Sequence, residues 1–233
     1  MKEQFIRTGM LLGEDAVDKL SGKHVAVYGI GGVGSFCAEA LARAGIGHLT
    51  LIDDDTVSVS NLNRQLIALR STVGQYKTEV MARRISDINP DCVVTTISSR
   101  YEASAREQFF SEKTDFIADC IDSVACKTDL IATAIEREIP IISAMGTGNK
   151  LDPTKFVITD LSKTSGCPLA RVMRRELKQR GIVHHTVLYS LEAPVKPLFQ
   201  PDSRNNVPGS VAWVPSCAGL MIAGHIIQSL ISE

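Results

Sequence analysis

Short apolar runs along the first two thirds of the chain alternate with longer segments of helical periodicity. The runs have the length and composition of buried strands, and they occupy residues 25–28, 49–53, 92–97, 116–120 and 140–143. Helical patterns precede or separate them at residues 15–20, 33–44, 74–88 and 125–137. Strands that alternate with helices predict βαβ units, and therefore a Rossmann-like α/β fold whose mainly parallel sheet carries helices on both faces.

The pattern changes after Gly146. Residues 156–159 and 187–190 have strand patterns, residues 168–180 have a helical pattern, and the proline-rich stretch 194–208 predicts a long loop. We therefore expect one domain over residues 1–233. Its core covers about residues 20–145, and a mixed C-terminal extension covers about residues 146–233.

Composition narrows the class of protein. The 233 residues are 44% hydrophobic and 22% charged, with a formal net charge of −1, which argues against broad non-specific nucleic-acid binding but allows a local basic patch. None of the six cysteines forms a C-x-x-C pair, so a structural zinc site is not expected. With no visible secretory signal, the cysteines favour a cytoplasmic protein.

The longest apolar stretch, residues 211–231, raises the question of a membrane span. It is interrupted by Pro215, His225 and Gln228. A span needs about 20 mostly apolar residues, so we favour a buried or dimer-facing helix and expect no membrane association.

A glycine-rich loop joins the first strand to the next helix. Its glycines are Gly29, Gly31, Gly32 and Gly34. Such a loop lets the backbone approach a phosphate, and the following helix directs free N–H groups at the anion. Asp53 ends the second strand, where an acid can hydrogen-bond ribose hydroxyls. The core is therefore predicted to bind a nucleotide.

Two cations on two separate predicted helices, Arg64 and Lys77, indicate a nucleotide that is cut at its phosphates. Cleavage between the α- and β-phosphates builds charge on oxygen, and fixed cations that meet this charge lower the barrier. The alternative is that both residues are solvated surface cations.

Asp122 follows the fourth strand at the carboxyl edge of the sheet. It can hold Mg²⁺ against a triphosphate, cap the next helix, or do both. Asp55 is expected to cap a short helix before Asn61, and Asp54 is expected to be solvated.

Together, these segments resemble the ThiF/MoeB/ubiquitin-activating superfamily of adenylating enzymes. The matching pieces follow one another as residues 29–34, 53–55, 60–65, 77 and 119–122. The resemblance implies ATP and Mg²⁺, with Arg64, Lys77, Arg7 and Asp122 catalytic and Asp122 the Mg²⁺ ligand. The residues it implies for nucleotide binding are Gly29, Gly31, Gly32, Gly34, Asp53, Asp55, Asn61 and Gln65. Arg7 matches an arginine that reaches the phosphates of a partner subunit, which implies a homodimer.

Within the superfamily, the chain looks most similar to the group of tRNA threonylcarbamoyladenosine dehydratases. The closer match covers residues 5–8, 11–13, 24–35, 39–45, 87–92 and 118–123, and it continues over 151–154, 159–164 and 167–170. It implies ATP-dependent cyclisation of threonylcarbamoyladenosine in tRNA through carboxylate adenylation. The group is also associated with cysteine desulfurase and sulfur-acceptor partners. Cys167 departs from the group, which often has an aspartate before Pro168.

A tRNA substrate requires a basic surface. The predicted helix 168–180 carries a cluster of cations, which are Arg171, Arg174, Arg175, Lys178 and Arg180. Phosphate contacts from such a cluster would give salt-dependent affinity. The alternative is a solvated amphipathic helix.

Three other functions stay open. The chain could adenylate the C-terminus of a ubiquitin-like sulfur-carrier protein, or it could be an NAD-binding oxidoreductase or sensor. The NAD interpretation leaves Arg64, Lys77 and Asp122 without a role. A non-catalytic nucleotide-binding scaffold for a cysteine desulfurase is the third. Cys217, which precedes an apolar helix, is expected to be a buried small hydrophobe rather than a nucleophile. Cys167 stays open, because it lies in a predicted loop beside the basic helix.

Overall fold

The computed structural model describes residues 2–111, 113–200 and 207–232. Its strands are β1 His24–Tyr28, β2 His48–Ile52, β3 Val93–Ile97, β4 Phe116–Asp119, β5 Ile141–Ala144, β6 Phe156–Asp160 and β7 Thr186–Ser190. They form one sheet in the order β3-β2-β1-β4-β5-β7-β6. Neighbouring strands are parallel except β6 and β7, which are antiparallel. The predicted Rossmann-like class is confirmed.

Seven α-helices lie within the described residues. They are α1 Ile6–Leu12, α2 Glu14–Ser21, α3 Gly34–Ala44, α4 Lys77–Ile88, α5 Val124–Glu136, α6 Pro168–Gln179 and α7 Trp213–Ser232. The last six begin and end close to the predicted boundaries. The hydrophobic pattern did not indicate α1, because its large apolar residues Ile6, Met10 and Leu11 are exposed and form no buried stripe.

Helices cover both faces of the sheet. Alternate residues of β1 point to opposite sides, so Val25 and Val27 pack in one layer, with buried residues of α2, α3, α4 and α7. Ala26 and Tyr28 pack in the other layer, with buried residues of α5 and α6. Strands covered on both sides explain why the runs are apolar throughout rather than alternating.

The C-terminal extension completes the sheet and the helical layers. β7 joins the parallel sheet beside β5, and β6 pairs with β7 at the edge. α7 is long and apolar enough to cross a membrane by length and composition, but Val214, Ala218 and Ile222 are buried in the same layer as α3. This packing agrees with the prediction of a buried helix. Of the predicted loop, residues 201–206 lie outside the described part.

The order of the strands reverses between β1 and β4. From β1 the chain continues to β2 and β3 on one side, whereas β4 and β5 lie on the other side. In open α/β sheets, ligands bind in the crevice outside the carboxyl ends of the strands at such a point. Apart from Arg7 and the basic helix, the sequence regions predicted to form a site follow strands that end at this crevice.

Candidate functional site

A cavity of about 430 Å³ opens at the carboxyl edge of the sheet, at the reversal between β1 and β4. Its volume falls within the range of small-molecule sites. Ten of the twelve residues predicted for catalysis and nucleotide binding line it, and they are Gly29, Gly31, Gly32, Asp53, Asp55, Asn61, Arg64, Gln65, Lys77 and Asp122. The other two, Gly34 and Arg7, do not line the cavity.

Two glycines allow the loop after β1 to lie against its neighbours. Gly29 has a φ of 87°, and a Cβ there would lie 2.7 Å from the carbonyl oxygen of Cys120. A Cβ on Gly34 would lie 1.8 Å from the carbonyl oxygen of Gly29. Gly34 therefore acts behind the cavity wall, because it lets α3 begin directly under the loop.

Asp53 follows β2 and holds the glycine loop in place. Its Oδ2 accepts a hydrogen bond from the N–H of Ile30 at 2.6 Å, and its Oδ1 accepts one from the N–H of Asp55 at 2.9 Å. Burial raises the pKa of this carboxyl, and the nearby Lys77 ammonium opposes the shift. The carboxylate is thus fixed at the strand end where the sequence predicted a ribose contact.

Lys77 is the first residue of α4, and its side chain is only 5% exposed. Its Nζ lies 2.6 Å from Oδ2 of Asp55 and 3.8 Å from Oδ1 of Asp53. The main chain sets this position, because the N–H of Lys77 donates to the carbonyl of Asp55 at 3.1 Å. The interpretation of Lys77 as a surface cation is therefore wrong.

The sequence predicted that Asp55 caps the short helix before Asn61, and the structure contradicts this prediction. That 3-10 helix, Val59–Asn61, is capped by Ser58, whose N–H donates to Oδ1 of Asn61 at 3.0 Å. Asp55 instead pairs with Lys77, and the pairing was missed because it joins two segments that the hydrophobic pattern cannot place side by side.

Arg64 lies in a turn after this 3-10 helix, not on an α-helix as predicted. One guanidinium nitrogen, Nη1, donates to the carbonyl of Ser60 at 2.8 Å and to Oδ1 of Asn63 at 3.0 Å. The side chain of Asn63 in turn donates to the carbonyl of Ser210 at 2.9 Å. Arg64 is thereby tied to the cavity rim, and most of its N–H donors have no partner among the described residues.

Gln65 is buried, and its Oε1 has no hydrogen-bond partner among the described residues. A buried acceptor without a donor is costly, and a ligand N–H or O–H in the cavity would satisfy it. The side chain thus fits a cavity that binds a polar ligand.

Asp122 is exposed on the cavity wall, with no hydrogen bond or ion pair to the described residues. It does not cap α5, because the N-cap position of that helix is Ser123. An exposed carboxylate of this kind can take a divalent cation. A second group of acidic side chains also lines the cavity, since carboxylate oxygens of Asp53, Asp54 and Asp55 lie within 4.8 Å of one another.

Several residues that line the cavity were not predicted from the sequence. Arg100 and Tyr101 follow β3 at the carboxyl edge, a position that could have indicated them. Thr147, Ser210 and Pro215 come from the C-terminal extension. No sequence signal placed these last three beside the glycine loop.

Four of the five cations in the predicted tRNA-binding cluster lie on α6, outside the cavity, and Arg180 directly follows the helix. Arg171, Arg175 and Lys178 are exposed. Arg174 is half-buried and donates to the carbonyl of Thr164 at 2.8 Å, so it stabilises the turn before the helix. Its role in binding tRNA stays a prediction.

The remaining candidate residues also lie outside the cavity. Arg7 is exposed on α1. Cys167 is buried directly before α6. Cys217 lies inside α7 and is half-buried, whereas a fully buried residue before the helix had been expected.

Comparison with known proteins agrees with this geometry. The model of the ThiF family matches residues 5–233. A Bacillus subtilis protein named tRNA threonylcarbamoyladenosine dehydratase is 42% identical over 247 aligned positions, which cover 100% of this chain and 96% of the relative. The Escherichia coli protein of the same name is 44% identical over 204 positions, which cover 84% of this chain and 76% of the relative.

Solved structures agree as well. The crystal structure of E. coli tRNA N6-threonylcarbamoyladenosine dehydratase, TcdA, in complex with ATP superposes with a TM-score of 0.91 at 39% identity. The match covers 99% of this chain and 94% of that structure. With a family model that spans nearly its whole length and with these relatives, the chain belongs to the ThiF family.

Proposed function

We propose that the protein is an ATP-dependent enzyme that cyclises threonylcarbamoyladenosine in tRNA. The observation that carries this proposal is the convergence of Arg64 and Lys77 on the cavity formed by the glycine loop. Relatives that match across the chain are named for this activity, and a similar structure contains ATP.

The reaction joins an adenylation to a ring closure. The carboxylate of the modified nucleoside attacks the α-phosphate of ATP, which forms an acyl-adenylate and releases pyrophosphate. The neighbouring ureido oxygen then attacks the activated carbonyl, closes the ring and expels AMP, while the ureido group loses a proton. Both reacting groups belong to one nucleoside, so proximity replaces a covalent protein intermediate.

Each part of the cavity has a role in the first step. The glycine loop and the N-terminus of α3 bind phosphate, and Asp53 binds the ribose. Lys77 and Arg64 meet the charge that develops on the phosphate oxygens. Asp122 would hold Mg²⁺, which supplies further neutralisation of the triphosphate when bound. Because Lys77 is buried and anchored by two carboxylates, its charge needs little reorganisation during the reaction.

Two rival functions use the same fold. An NAD-dependent oxidoreductase gives no role to a buried lysine and an arginine at the cavity, so we favour nucleotide cleavage. Adenylation of a sulfur-carrier protein would use the same cations and differs only in the acceptor. Pyrophosphate exchange stimulated by such a carrier, but not by modified tRNA, would favour that rival.

We also propose a homodimer in which Arg7 acts on the partner's nucleotide. Met10 and Leu11 on α1 are 79% and 87% exposed, and an apolar groove between α1, α3 and α7 is lined by Phe36, Leu220 and Ile227. Apolar residues exposed on the helix that carries Arg7 favour a covering subunit.

We also propose that the enzyme acts in the cytoplasm. The exposed row Arg171, Arg175 and Lys178 would contact tRNA phosphates. A sulfur-acceptor partner stays a prediction of the sequence resemblance.

The decisive test of the activity is direct. The protein is incubated with ATP, Mg²⁺ and tRNA that carries threonylcarbamoyladenosine, and the nucleosides are analysed by mass spectrometry. The expected product has lost one water, and AMP and pyrophosphate are released in equal amounts. An unchanged nucleoside under conditions where the protein is folded and binds ATP would overturn the proposal.

The dimeric site can be tested by complementation. Arg7→Ala and Arg64→Ala proteins are each expected to be inactive. Mixed dimers restore one intact site in each heterodimer, so random exchange should recover about a quarter of the wild-type activity. Failure to recover activity after proven subunit exchange would mean that Arg7 does not act across the interface.

A further inference from the structure

Four polar side chains form a closed cluster behind the wall of the cavity. They are Asp119 at the end of β4, Lys127 on α5, Ser143 on β5 and His185 directly before β7. The side chains of Asp119 and Lys127 are both 0% exposed. None of the four lines the cavity, so the adenylation chemistry gives them no direct role.

The hydrogen bonds in this buried cluster converge on one carboxylate oxygen. Oδ2 of Asp119 accepts from Nζ of Lys127 at 2.7 Å and from Oγ of Ser143 at 2.6 Å. Since Ser143 has one proton to donate, its oxygen accepts from Nε2 of His185, which lies 2.8 Å away. Burial lowers the pKa of His185 to about 4, so the imidazole is neutral near neutral pH. Donation to Ser143 then requires the proton of the neutral ring to lie on Nε2.

The other oxygen of Asp119 controls the next turn of the chain. Oδ1 accepts from the N–H of Ile121 at 3.1 Å, and Lys127 Nζ also lies 3.4 Å from the carbonyl of Asp119. Residues 120–123, which follow, line the cavity and present Asp122. A Cβ on Gly29 would lie 2.7 Å from the carbonyl oxygen of Cys120, so this turn contacts the glycine loop directly.

The same strand carries a matched pair at its other end. Asp115, directly before β4, accepts from the N–H of His24 at 2.7 Å and from Nζ of Lys23 at 3.1 Å. The side chains of Lys23 and Asp115 are 20% and 30% exposed, so water screens them. Burial of the Asp119–Lys127 pair has a large desolvation cost, so the pair contributes little net stability to the fold. Its burial therefore indicates another reason for its presence.

We infer that Lys127 is a positioning residue, which acts through Asp119 to fix the turn of residues 120–123 against the glycine loop. This inference rests on the proposed function, because it assigns to the buried cluster the placement of the triphosphate end of ATP. Without the ammonium, the Asp119 carboxylate is left uncompensated in the interior, and the N–H of Ile121 loses its fixed acceptor.

The test compares two ligands by isothermal titration calorimetry. Mg·ATP reports the phosphate end of the cavity, and adenosine reports the nucleoside end. The variants are Lys127→Met, the charge-free double variant Asp119→Asn/Lys127→Met, and Lys23→Met as the control at the other end of β4. Circular dichroism and urea unfolding establish that each variant is folded.

Lys127→Met is expected to bind Mg·ATP at least about tenfold more weakly, with adenosine affinity within about twofold of wild type. In the double variant, the amide that replaces the carboxylate keeps an acceptor for the Ile121 N–H without a buried charge, so Mg·ATP affinity should recover to within about threefold. Lys23→Met is expected to change stability little and to leave the ratio of the two affinities unchanged.

Other outcomes would overturn the inference. Folded Lys127→Met protein that binds Mg·ATP as wild type does, or that loses both ligands in parallel, shows that the buried pair does not place the turn. A double variant as defective as the single variant shows the same. Wild-type protein that binds no ATP overturns the proposed function itself, which separates the two failures.

Discussion

The carboxyl edge and the amino edge of the sheet differ in how deeply their ion pairs are buried. At the carboxyl edge, Lys77 is 5% exposed beside Asp53, and Lys127 and Asp119 are fully buried. At the amino edge, the pair of Lys23 and Asp115 is partly exposed, and Lys2 pairs with Asp91 at the surface. Both edges belong to the same strands, so the secondary structure does not account for the difference.

The comparison shows where the fold accepts a cost in stability. Half-exposed pairs contribute little, because solvent screens them, and their loss is tolerated. Buried charges must be compensated within the protein, and removal of one partner exposes the full desolvation cost of the other. Charges held out of water are also the ones that act most strongly on a ligand. The carboxyl edge therefore keeps buried charges that can act strongly on a ligand, whereas the ion pairs of the amino edge are in contact with solvent.

Removal of a cation at the carboxyl edge is expected to have the largest effect on the reaction. Lys77→Met is expected to lower the rate of pyrophosphate release with modified tRNA by at least about 100-fold, because the charge that meets the developing oxyanion is gone. Single-turnover kinetics with radiolabelled ATP would measure the loss.

The control for this experiment is Lys23→Met, which removes a cation from the amino edge. Its activity should stay within about twofold of wild type at temperatures where the variant is folded. Equal losses in both variants would mean that the edges do not differ in function.

The sequence predicted the carboxyl edge well where local chemistry determines it. Gly29, Asp53 and Asp122 each follow a strand closely, and a parallel sheet brings all strand ends to one edge. Their meeting in one cavity therefore followed from the order of the elements. Lys77 was assigned to this site from its positive charge and from the family resemblance, and the structure places it in the cavity wall, although its burial was not predicted.

Contacts between distant segments were not predictable in this way. Lys127 and His185 are separated by 58 positions along the chain, and only the tertiary fold joins them through Ser143 and Asp119. The turn that carries Arg64 was mistaken for a helix, since a 3-10 turn leaves too short a pattern to show helical periodicity.

Acid is expected to lower the stability of the folded protein by a similar amount through one buried histidine at each edge of the sheet. His24 at the amino edge and His185 behind the cavity each have a pKa lowered by burial to about 4. The unfolded chain takes up protons near pH 6.5 while the native histidines stay neutral, so stability is lost as the pH falls toward 4. Urea unfolding at about pH 7.5 and about pH 5 should show a loss of about 2 kcal/mol per histidine.

The variants His24→Gln and His185→Gln test each edge separately. Each substitution should reduce the loss of stability between about pH 7.5 and about pH 5 by about 2 kcal/mol, the contribution of one histidine. An unchanged pH dependence in either variant would show that the histidine does not stay neutral in the native state.

A smaller effect is expected on α6, where the cations of the exposed row lie in solvent. Arg171→Glu/Arg175→Glu should weaken tRNA binding by about tenfold, and the slope of log affinity against log salt should fall by about two. Lys163→Glu, on the exposed turn before the helix, is the comparison variant. Unchanged affinity and slope would leave the row as a solvated helix face.

The smallest effect is expected at Cys217, which tests whether any covalent step occurs outside the cavity. The thiol is half-buried on α7 and does not line the cavity, and the proposed ring closure needs no protein nucleophile. Cys217→Ala and Cys167→Ala should each keep activity within about twofold of wild type, because each replaces a small side chain by another small one. A loss of 100-fold in either variant, with pyrophosphate release retained, would mean that the acyl group passes through that sulfur. The adenylating cations would then serve a two-site reaction, and the carboxyl edge would no longer contain the whole chemistry.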